Sequence, residues 1–385
     1  MSGDVAIILA SVMGSPFQYR PPKFDAPPLS DAPDARFEPA PADGVLPETF
    51  YSTTNLPTYV KVQGQWRRPR LPRMDCVIVR EQVRNDLVVT EPRKVPKGGL
   101  VAVGSAEDGS TGIYVHVEGF YGGRHSANEF GFMQTEVSRE RPADYSHLAQ
   151  LLGEEKHRGG RIVWVIGPAL VHARARQDMI WFIRNGYVGA LLGGNAVAVH
   201  DLEAAIFGTT LGMSSSGEGV EGGHALHMRA INAIRRVGSI HAAVERGLVK
   251  DGIMHALVTQ HVPFVLAGSI RDDGPLPEVV TDTQLAQDAM RAHTTQATFA
   301  VFVATALHAI AVGNMLPAFV DGPGDDLRPL TTICVDQTEF VVTKLRDRGT
   351  HQAYGVVTNA QDFMHVLRFY VERWEQAQVP ASVSR

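Results

Sequence analysis

Ile162-Val163-Trp164-Val165-Ile166-Gly167-Pro168 is a short apolar run that stops at a glycine, and Val188-Gly189-Ala190-Leu191-Leu192-Gly193-Gly194-Asn195 repeats the pattern. Between them Gln177 to Asn185 has helical spacing, and after them Ala196 to Phe207 has it again. An apolar run with no polar face suits a strand covered on both sides. A helix between two such runs makes them parallel. Pro263 to Ala267, Phe299 to Ala304, Thr331 to Val335 and Tyr354 to Val357 continue the series, each followed by a helical pattern. One longer helix is expected from about His224 to Arg246, with Ile231, Ile234, Val237, Ile240 and Val244 on one stripe. The fold class is α/β, with a Rossmann-like parallel-sheet domain over residues 141–378.

Towards the N-terminus, residues 143–156 read as a helix that ends at Gly159-Gly160. Residues 48–140 read as a small, mostly β domain. Its runs are Tyr59 to Val62, Cys76 to Val79, Asp86 to Val89, Leu100 to Val103 and Gly112 to Val117, broken by turn signals at Gly98-Gly99 and Asp108-Gly109. Residues 1–47 form a Pro-rich N-terminal arm, with nine of the chain's 23 prolines between Pro16 and Pro47. Proline fixes φ and removes a donor, so the arm is expected to lie extended and irregular on the surface.

Composition bounds the function. At 385 residues, 44% hydrophobic and 20% charged, the chain is an ordinary globular one. A net charge of -5 gives no support to a nucleic-acid or anionic-membrane partner. Cys76 and Cys334 alone build neither a disulfide framework nor a Cys-rich zinc site, which suits a reducing, cytoplasmic setting. The apolar run Val5 to Met13 has no basic flank and is too short to span a bilayer, so no signal peptide or membrane helix is expected.

In an open α/β sheet, ligands bind beyond the carboxyl ends of the strands. The residues there are Gly167-Pro168, Gly193-Gly194-Asn195, Gly268-Ser269, Thr305 to His308, Asp336 and Thr358-Asn359. Small residues let a ligand approach the backbone, and helix N-termini hold phosphates without lysine. The pattern suits a nucleotide or dinucleotide; the alternative is that the glycines only serve tight turns. Asp336, closing its run, can accept hydrogen bonds from ribose hydroxyls and would repel a 2'-phosphate, favouring NAD over NADP, or it can simply cap the next helix. Gly217, Gly219 and Gly222 make a literal G-x-G-x-x-G, but it follows three serines rather than a strand and reads as a flexible loop. No P-loop is present, and nothing resembles a nucleophile elbow. His224, His227, His200 and His308 have no metal-motif spacing, so no metal is expected. His227 and His308 suit acid/base or orienting roles. In Arg271-Asp272-Asp273-Gly274-Pro275-Leu276-Pro277, paired carboxylates can hold an ammonium and a ribose, or form a charged turn. The arginines 67, 68, 70 and 73 beside Trp66 read as a solvated face.

Longer motifs carry a resemblance. They are Gly193-Gly194-Asn195-Ala196-Val197-Ala198-Val199-His200-Asp201, Glu221-Gly222-Gly223-His224, Arg229-Ala230-Ile231-Asn232, and Pro263 through Pro277. Leu307-His308-Ala309-Ile310-Ala311-Val312-Gly313-Asn314-Met315-Leu316-Pro317 and Thr343-Lys344-Leu345-Arg346-Asp347-Arg348-Gly349 complete the set. Together they resemble the NAD-dependent ornithine cyclodeaminases of the "LOR/SDH" type, over about residues 36 to 366. These occur alone in archaea and as the C-terminal module of arginine dihydrolase/ornithine cyclodeaminase proteins. The resemblance implies a β-rich domain followed by a Rossmann-like domain with NAD at the sheet edge. It implies conversion of L-ornithine to L-proline and ammonia through an imine, with NADH recycled internally, and a homo-oligomer. NAD contacts carried over from the family fall on Asn195, Ala196, Asp273, Thr305, Ala306, Leu307, His308, Asp336, Asn359 and Ala360. The chemistry alone nominates Asp201, His227 and Asp272 as catalytic acids or bases.

Departures cluster at the ligand edge. Gln337-Thr338-Glu339 stands where the family reads Ile-Asn-Pro, Asn359-Ala360 where it reads Asp-Val, and His172-Ala173-Arg174 where it reads His-Thr-Gly. Residues 320–328 read as an inserted loop, and the family's N-terminal segment is either missing or replaced by residues 1–35. These changes keep two further readings open: an NAD enzyme of the same fold acting on another amino acid or amine, and an NAD-binding module without turnover.

Overall fold

The computed structural model describes residues 18–81, 86–121, 143–172, 174–214, 216–321, 327–348 and 352–378. The run Val5 to Met13, Ala173 and the middle of the 320–328 stretch lie outside the described residues. The chain divides into two compact units, one holding the described residues 18–121 and 317–330, the other 143–316, 331–348 and 353–378.

The first unit is built from short antiparallel sheets. Strand β1 (Gln18–Tyr19) is followed by β2 (Arg36–Pro39), β3 (Thr58–Val62), β4 (Gln65–Arg67), β5 (Val77–Glu81) and β6 (Asp86–Thr90). Then come β7 (Leu100–Val103), β8 (Ile113–Val115) and β9 (Phe120–Tyr121). The sheets run β2-β7-β5-β6, β4-β3-β8 and β1-β9. Val60, Ile78, Leu87, Ala102 and Ile113 fill the core between them. The Pro-rich arm is more ordered than proline content predicts, because β2 pairs antiparallel with β7 and so satisfies its backbone. The Lys61 ammonium donates to the carbonyls of Ser30 (3.0 Å) and Ala32 (2.6 Å), and Phe24 stacks on Trp66. The arm is therefore fastened by both a cation and an aromatic face.

The second unit opens with helix α1 (Tyr145–His157), whose N-cap Asp144 accepts from the His147 amide. Strand β10 (Ile162–Ile166) is buried along its whole length. The chain continues through α2 (Ala169–His172), α3 (Arg176–Arg184), β11 (Ala190–Gly194) and α4 (Asn195–Phe207). The single long helix expected from His224 is divided into α5 (Leu226–Val237) and α6 (Ile240–Glu245). Gly238, at φ +100°, ends α5, and Ser239 caps α6 by accepting from the Ala242 amide. Apolar periodicity runs through this break because both pieces bury the same stripe.

Next follow α7 (Ile253–Thr259), β12 (Phe264–Ala267), β13 (Val279–Val280), α8 (Thr283–Thr294), β14 (Phe299–Val303) and α9 (Ala306–Met315). The chain then returns to the first unit as a hairpin, β15 (Phe319–Asp321) with β16 (Leu327–Pro329). It comes back as β17 (Thr331–Asp336), α10 (Glu339–Arg348), β18 (Gln352–Val357) and α11 (Ala360–Gln378). The seven-stranded sheet has the order β13-β12-β11-β10-β14-β17-β18. Its pairs from β13 through β17 are parallel. The order reverses between β10 and β14, which is the switch point where such sheets bind ligands.

Candidate functional site

The turns at the switch point approach one another closely. A Cβ added to Gly167, after β10, would lie 1.9 Å from the Ala304 carbonyl oxygen after β14. Ala304 itself adopts φ +54°, a strained value for a residue with a side chain. A Cβ on Gly194 would lie 2.7 Å from the His308 ring, so the imidazole rests on the bare backbone at the end of β11. At Gly167 only glycine fits, because a backbone carbonyl takes the place of a Cβ, and at Gly194 a Cβ would have to displace the His308 ring; both glycines serve the close packing of turns, the second of the two readings their sequence allowed.

Two helices start at this edge without a side-chain cap. The N-cap of α4 is Gly194 and that of α9 is Thr305, and neither side chain bonds to the first-turn amides. Such amides, at the positive end of the helix dipole, bind phosphate. Asp336, half-buried at the end of β17, spends Oδ1 on the Thr338 amide (2.9 Å) and hydroxyl (2.8 Å). It acts as a turn anchor while still presenting a carboxylate. Uncapped helix starts and a carboxylate at neighbouring strand ends, about 5 Å apart per strand, are the donor and acceptor set that a dinucleotide requires.

Asn195 is buried and has both ends of its amide engaged. Its Nδ2 donates to Asp272 Oδ1 (3.2 Å) and its Oδ1 accepts from the Leu276 amide (3.1 Å). Asp272 also accepts, through Oδ2, from the Ser269 amide (2.8 Å). The loop after β12 is thus tied to the start of α4. Burial pushes His308 below the usual imidazole range, against the pull of the Asp272 charge. Thr305 Oγ1 lies 3.5 Å from His308 Nδ1. Asp273, Ala306 and Leu307 are exposed and Ala196 is half-buried at the same edge. Asn359 caps α11: its Oδ1 accepts from the Asp362 amide (2.9 Å) and its Nδ2 donates to the Asp362 carboxylate (2.5 Å). Ala360 is buried beneath it.

Of the three residues nominated as acids or bases, Asp272 belongs to this group, Asp201 is committed elsewhere, and His227 lies beside a second set of histidines. Asp201 is fully buried inside a structural network, accepting from Arg176 Nε (2.6 Å) and from the amides of Ile253 (2.9 Å) and Met254 (2.8 Å). Its carboxylate neutralises a buried guanidinium and caps α7, whose own N-cap is Gly252. A motif read as catalytic is here an internal cap. His227, in the first turn of α5, is half-buried beside His200. His200 stacks edge-on against His172 at 4.4 Å. Glu203, also fully buried, accepts from Thr209, the Leu211 amide and the Gly212 amide, and so holds the start of the loop that carries Gly217, Gly219 and Gly222. A Cβ on any of those three glycines meets nothing within 4 Å, so no close packing of the protein requires them. Among the described residues no group of His, Cys, Asp and Glu has the geometry to hold a metal ion, and no helix is long and apolar enough to cross a membrane. The Arg176 partnership and the Glu203 anchor were not anticipated. An acid inside an apolar helix, such as Glu203 in α4, is the signal that marks such a buried anchor.

Comparison with known proteins agrees with the geometry. Two family models match: "Arginine dihydrolase ArgZ-like, C-terminal, first region" over residues 57–146, and "Arginine dihydrolase ArgZ-like, C-terminal, Rossmann fold" over residues 146–367. An ornithine cyclodeaminase from Methanopyrus kandleri is 47% identical over 87% of this chain and 77% of its own length. A crystal structure of a conserved LOR/SDH protein from Methanococcus maripaludis superposes with a TM-score of 0.79 at 40% identity, covering 89% of this chain and 99% of the other. The bifunctional arginine dihydrolase/ornithine cyclodeaminase AgrE of Nostoc is 40% identical over 88% of this chain and 46% of its own length. Its ternary complex with ornithine and NAD+ superposes with a TM-score of 0.56, over 90% of this chain and 47% of that one.

Proposed function

We propose a function from the premise that this chain belongs to the ornithine cyclodeaminase family: it converts L-ornithine to L-proline and ammonia with NAD as an internally recycled cofactor. The observation that carries the reading is the strand edge around the β10/β14 switch point, where uncapped helix starts follow β11 and β14 and the Asp336 carboxylate ends β17. The first-turn backbone amides of α9 and of α4 would hold the phosphates, and Asp336 a ribose. Asn359 fits this role poorly, since its amide is committed to α11. NAD supplies a reversible acceptor for the hydride of the substrate's α-carbon.

The remaining chemistry is proton and amine transfer. Oxidation at the α-carbon gives an imine, the δ-nitrogen adds to that carbon, and the original nitrogen leaves as ammonium. Reduction of the cyclic imine at the same carbon gives proline. The chain's part is to hold a cationic side chain, move protons and exclude water.

The test is incubation with NAD and L-ornithine deuterated at the α-carbon. The expected product is proline that keeps the label, with stoichiometric ammonia and no accumulating NADH. Ornithine consumed with growing NADH would replace the reading with a dehydrogenase. Ornithine left intact, with NAD bound, would move the substrate to another amine.

A further inference from the structure

Two side chains, those of His308 and Asp272, meet the start of α4 at Gly194 and Asn195. The His308 ring lies against the Gly194 backbone, Asp272 is bonded to the Asn195 amide, and the Asp272 charge reaches His308. Asp272 is half-buried, as is His308. Two large apolar side chains flank the pair in sequence: Leu307, 68% exposed, and Ile270, fully exposed. A carboxylate, an uncharged imidazole and exposed apolar groups suit a short alkyl chain ending in an ammonium.

The geometry points to Asp272 and His308 as the amine-handling pair of this site, with Asn195 a positioning residue that keeps the carboxylate turned towards the imidazole. The inference rests on the reading of the site as an ornithine cyclodeaminase. It differs from the family pattern, which makes Asn195 and His308 cofactor contacts. In this assignment the imidazole takes one proton from the substrate α-ammonium, and the resulting imidazolium is stabilised by Asp272. The α-hydrogen would leave with its electron pair as a hydride to bound NAD+, so that the carbon is oxidised to an iminium, and the same hydride would return at the end. The δ-nitrogen forms the ring bond, two of its hydrogens pass to the departing nitrogen, and the old C–N bond breaks to release ammonium. The electron pair returns to the same carbon, and the imidazolium gives its proton to the ring nitrogen of proline. Protons, charge and electrons balance with no further reactant.

His308→Gln should lower kcat by about 100-fold or more, the usual contribution of a general acid–base. It should leave the NAD dissociation constant within about threefold. Asp272→Asn should weaken L-ornithine binding to the NAD-loaded protein by about 10- to 100-fold in calorimetry, the range for losing one charge-assisted hydrogen bond. Asp272→Glu should recover part of the loss. Asn195→Ala should act in the same direction by less, and the Asn195→Ala/Asp272→Asn double variant should bind no worse than Asp272→Asn alone. Turnover by His308→Gln within threefold of the parent, or NAD binding that falls as far as turnover, would overturn the assignment. So would ornithine binding unchanged in Asp272→Asn. If the parent binds ornithine yet forms no proline, the proposed reaction falls, and the calorimetric comparison still decides the role of Asp272.

Discussion

Removing the Asp201 carboxylate should unfold rather than inactivate the protein. In Asp201→Ala the Arg176 guanidinium, with its side chain 14% exposed, keeps only Asp251 at 2.9 Å. The Ile253 and Met254 amides at the start of α7 lose their acceptor, and Gly252 offers no side chain in its place. Breaking a buried ion pair from one side costs about 3–5 kcal/mol, and losing an N-cap about 1 kcal/mol. The two losses overlap and Asp251 offsets part of the first, so about 4 kcal/mol is expected for alanine. For Asp201→Asn, which keeps one acceptor oxygen, about 2 kcal/mol is expected. Urea unfolding followed by tryptophan fluorescence reads this directly, because Trp164 and Trp181 both belong to the second unit. The midpoint should fall with an unchanged slope. Asp201→Asn, assayed well below its melting temperature, should keep kcat and NAD affinity within about threefold. An alanine variant within 1 kcal/mol of the parent would refute the argument. So would a fully folded Asp201→Asn that has lost turnover by about 100-fold, a result that would restore Asp201 as a catalytic acid or base.

Asp336→Ala should weaken NAD by about 10- to 100-fold, the worth of a hydrogen bond to a charged group, and fluorescence titration would measure it. An unchanged affinity would confine Asp336 to its turn. Burial, reinforced by the neighbouring His200, lowers His172 from 6.5 to about 4. Between those values the unfolded chain binds the extra proton, so this contribution to stability is complete above pH 6.5 and is lost as the pH falls towards 4. The melting temperature should decline across that window, and His172→Asn should flatten the decline. Burial pushes the Cys334 thiol up to about 12, with the Asp336 charge adding to it. Thiol reagents at pH 8 should therefore label Cys334 in the unfolded chain and leave it unlabelled in the native one.

The parallel sheet was legible because its strands are buried on both faces. Runs such as Ile162–Ile166 and Phe299–Val303 contain no polar residue to confuse the pattern. The antiparallel pieces were harder to see. Gln18–Tyr19 and Arg36–Pro39 are two and four residues long and gain their pairing from distant partners, which local composition does not report. The site divided in the same way. Its edge could be read from glycines that end apolar runs, since a turn against another turn leaves no room for a Cβ. The roles of individual carboxylates could not. Asp201 and Asp272 are chemically alike and both follow apolar segments, yet one faces a buried arginine and two helix amides, and the other an asparagine and a histidine. Only the tertiary partners tell the two carboxylates apart.

The hairpin of β15 and β16 has a consequence for biosynthesis. Ala318, Phe319 and Leu327 form one apolar cluster with Tyr19, and Phe120 packs against it. The Ala318 amide also donates to the Asn55 carbonyl. On the ribosome, the early segment of this unit emerges long before the piece that covers Tyr19 and Phe120, and β10 to β14 are translated in between. The nascent unit therefore carries an uncovered aromatic surface until translation passes Leu330, a window in which chaperone binding or aggregation would compete with folding. A gene truncated at the boundary near residue 140 would fix the protein in that unfinished state. An autonomous first unit would need residues 317–330 grafted back through a linker.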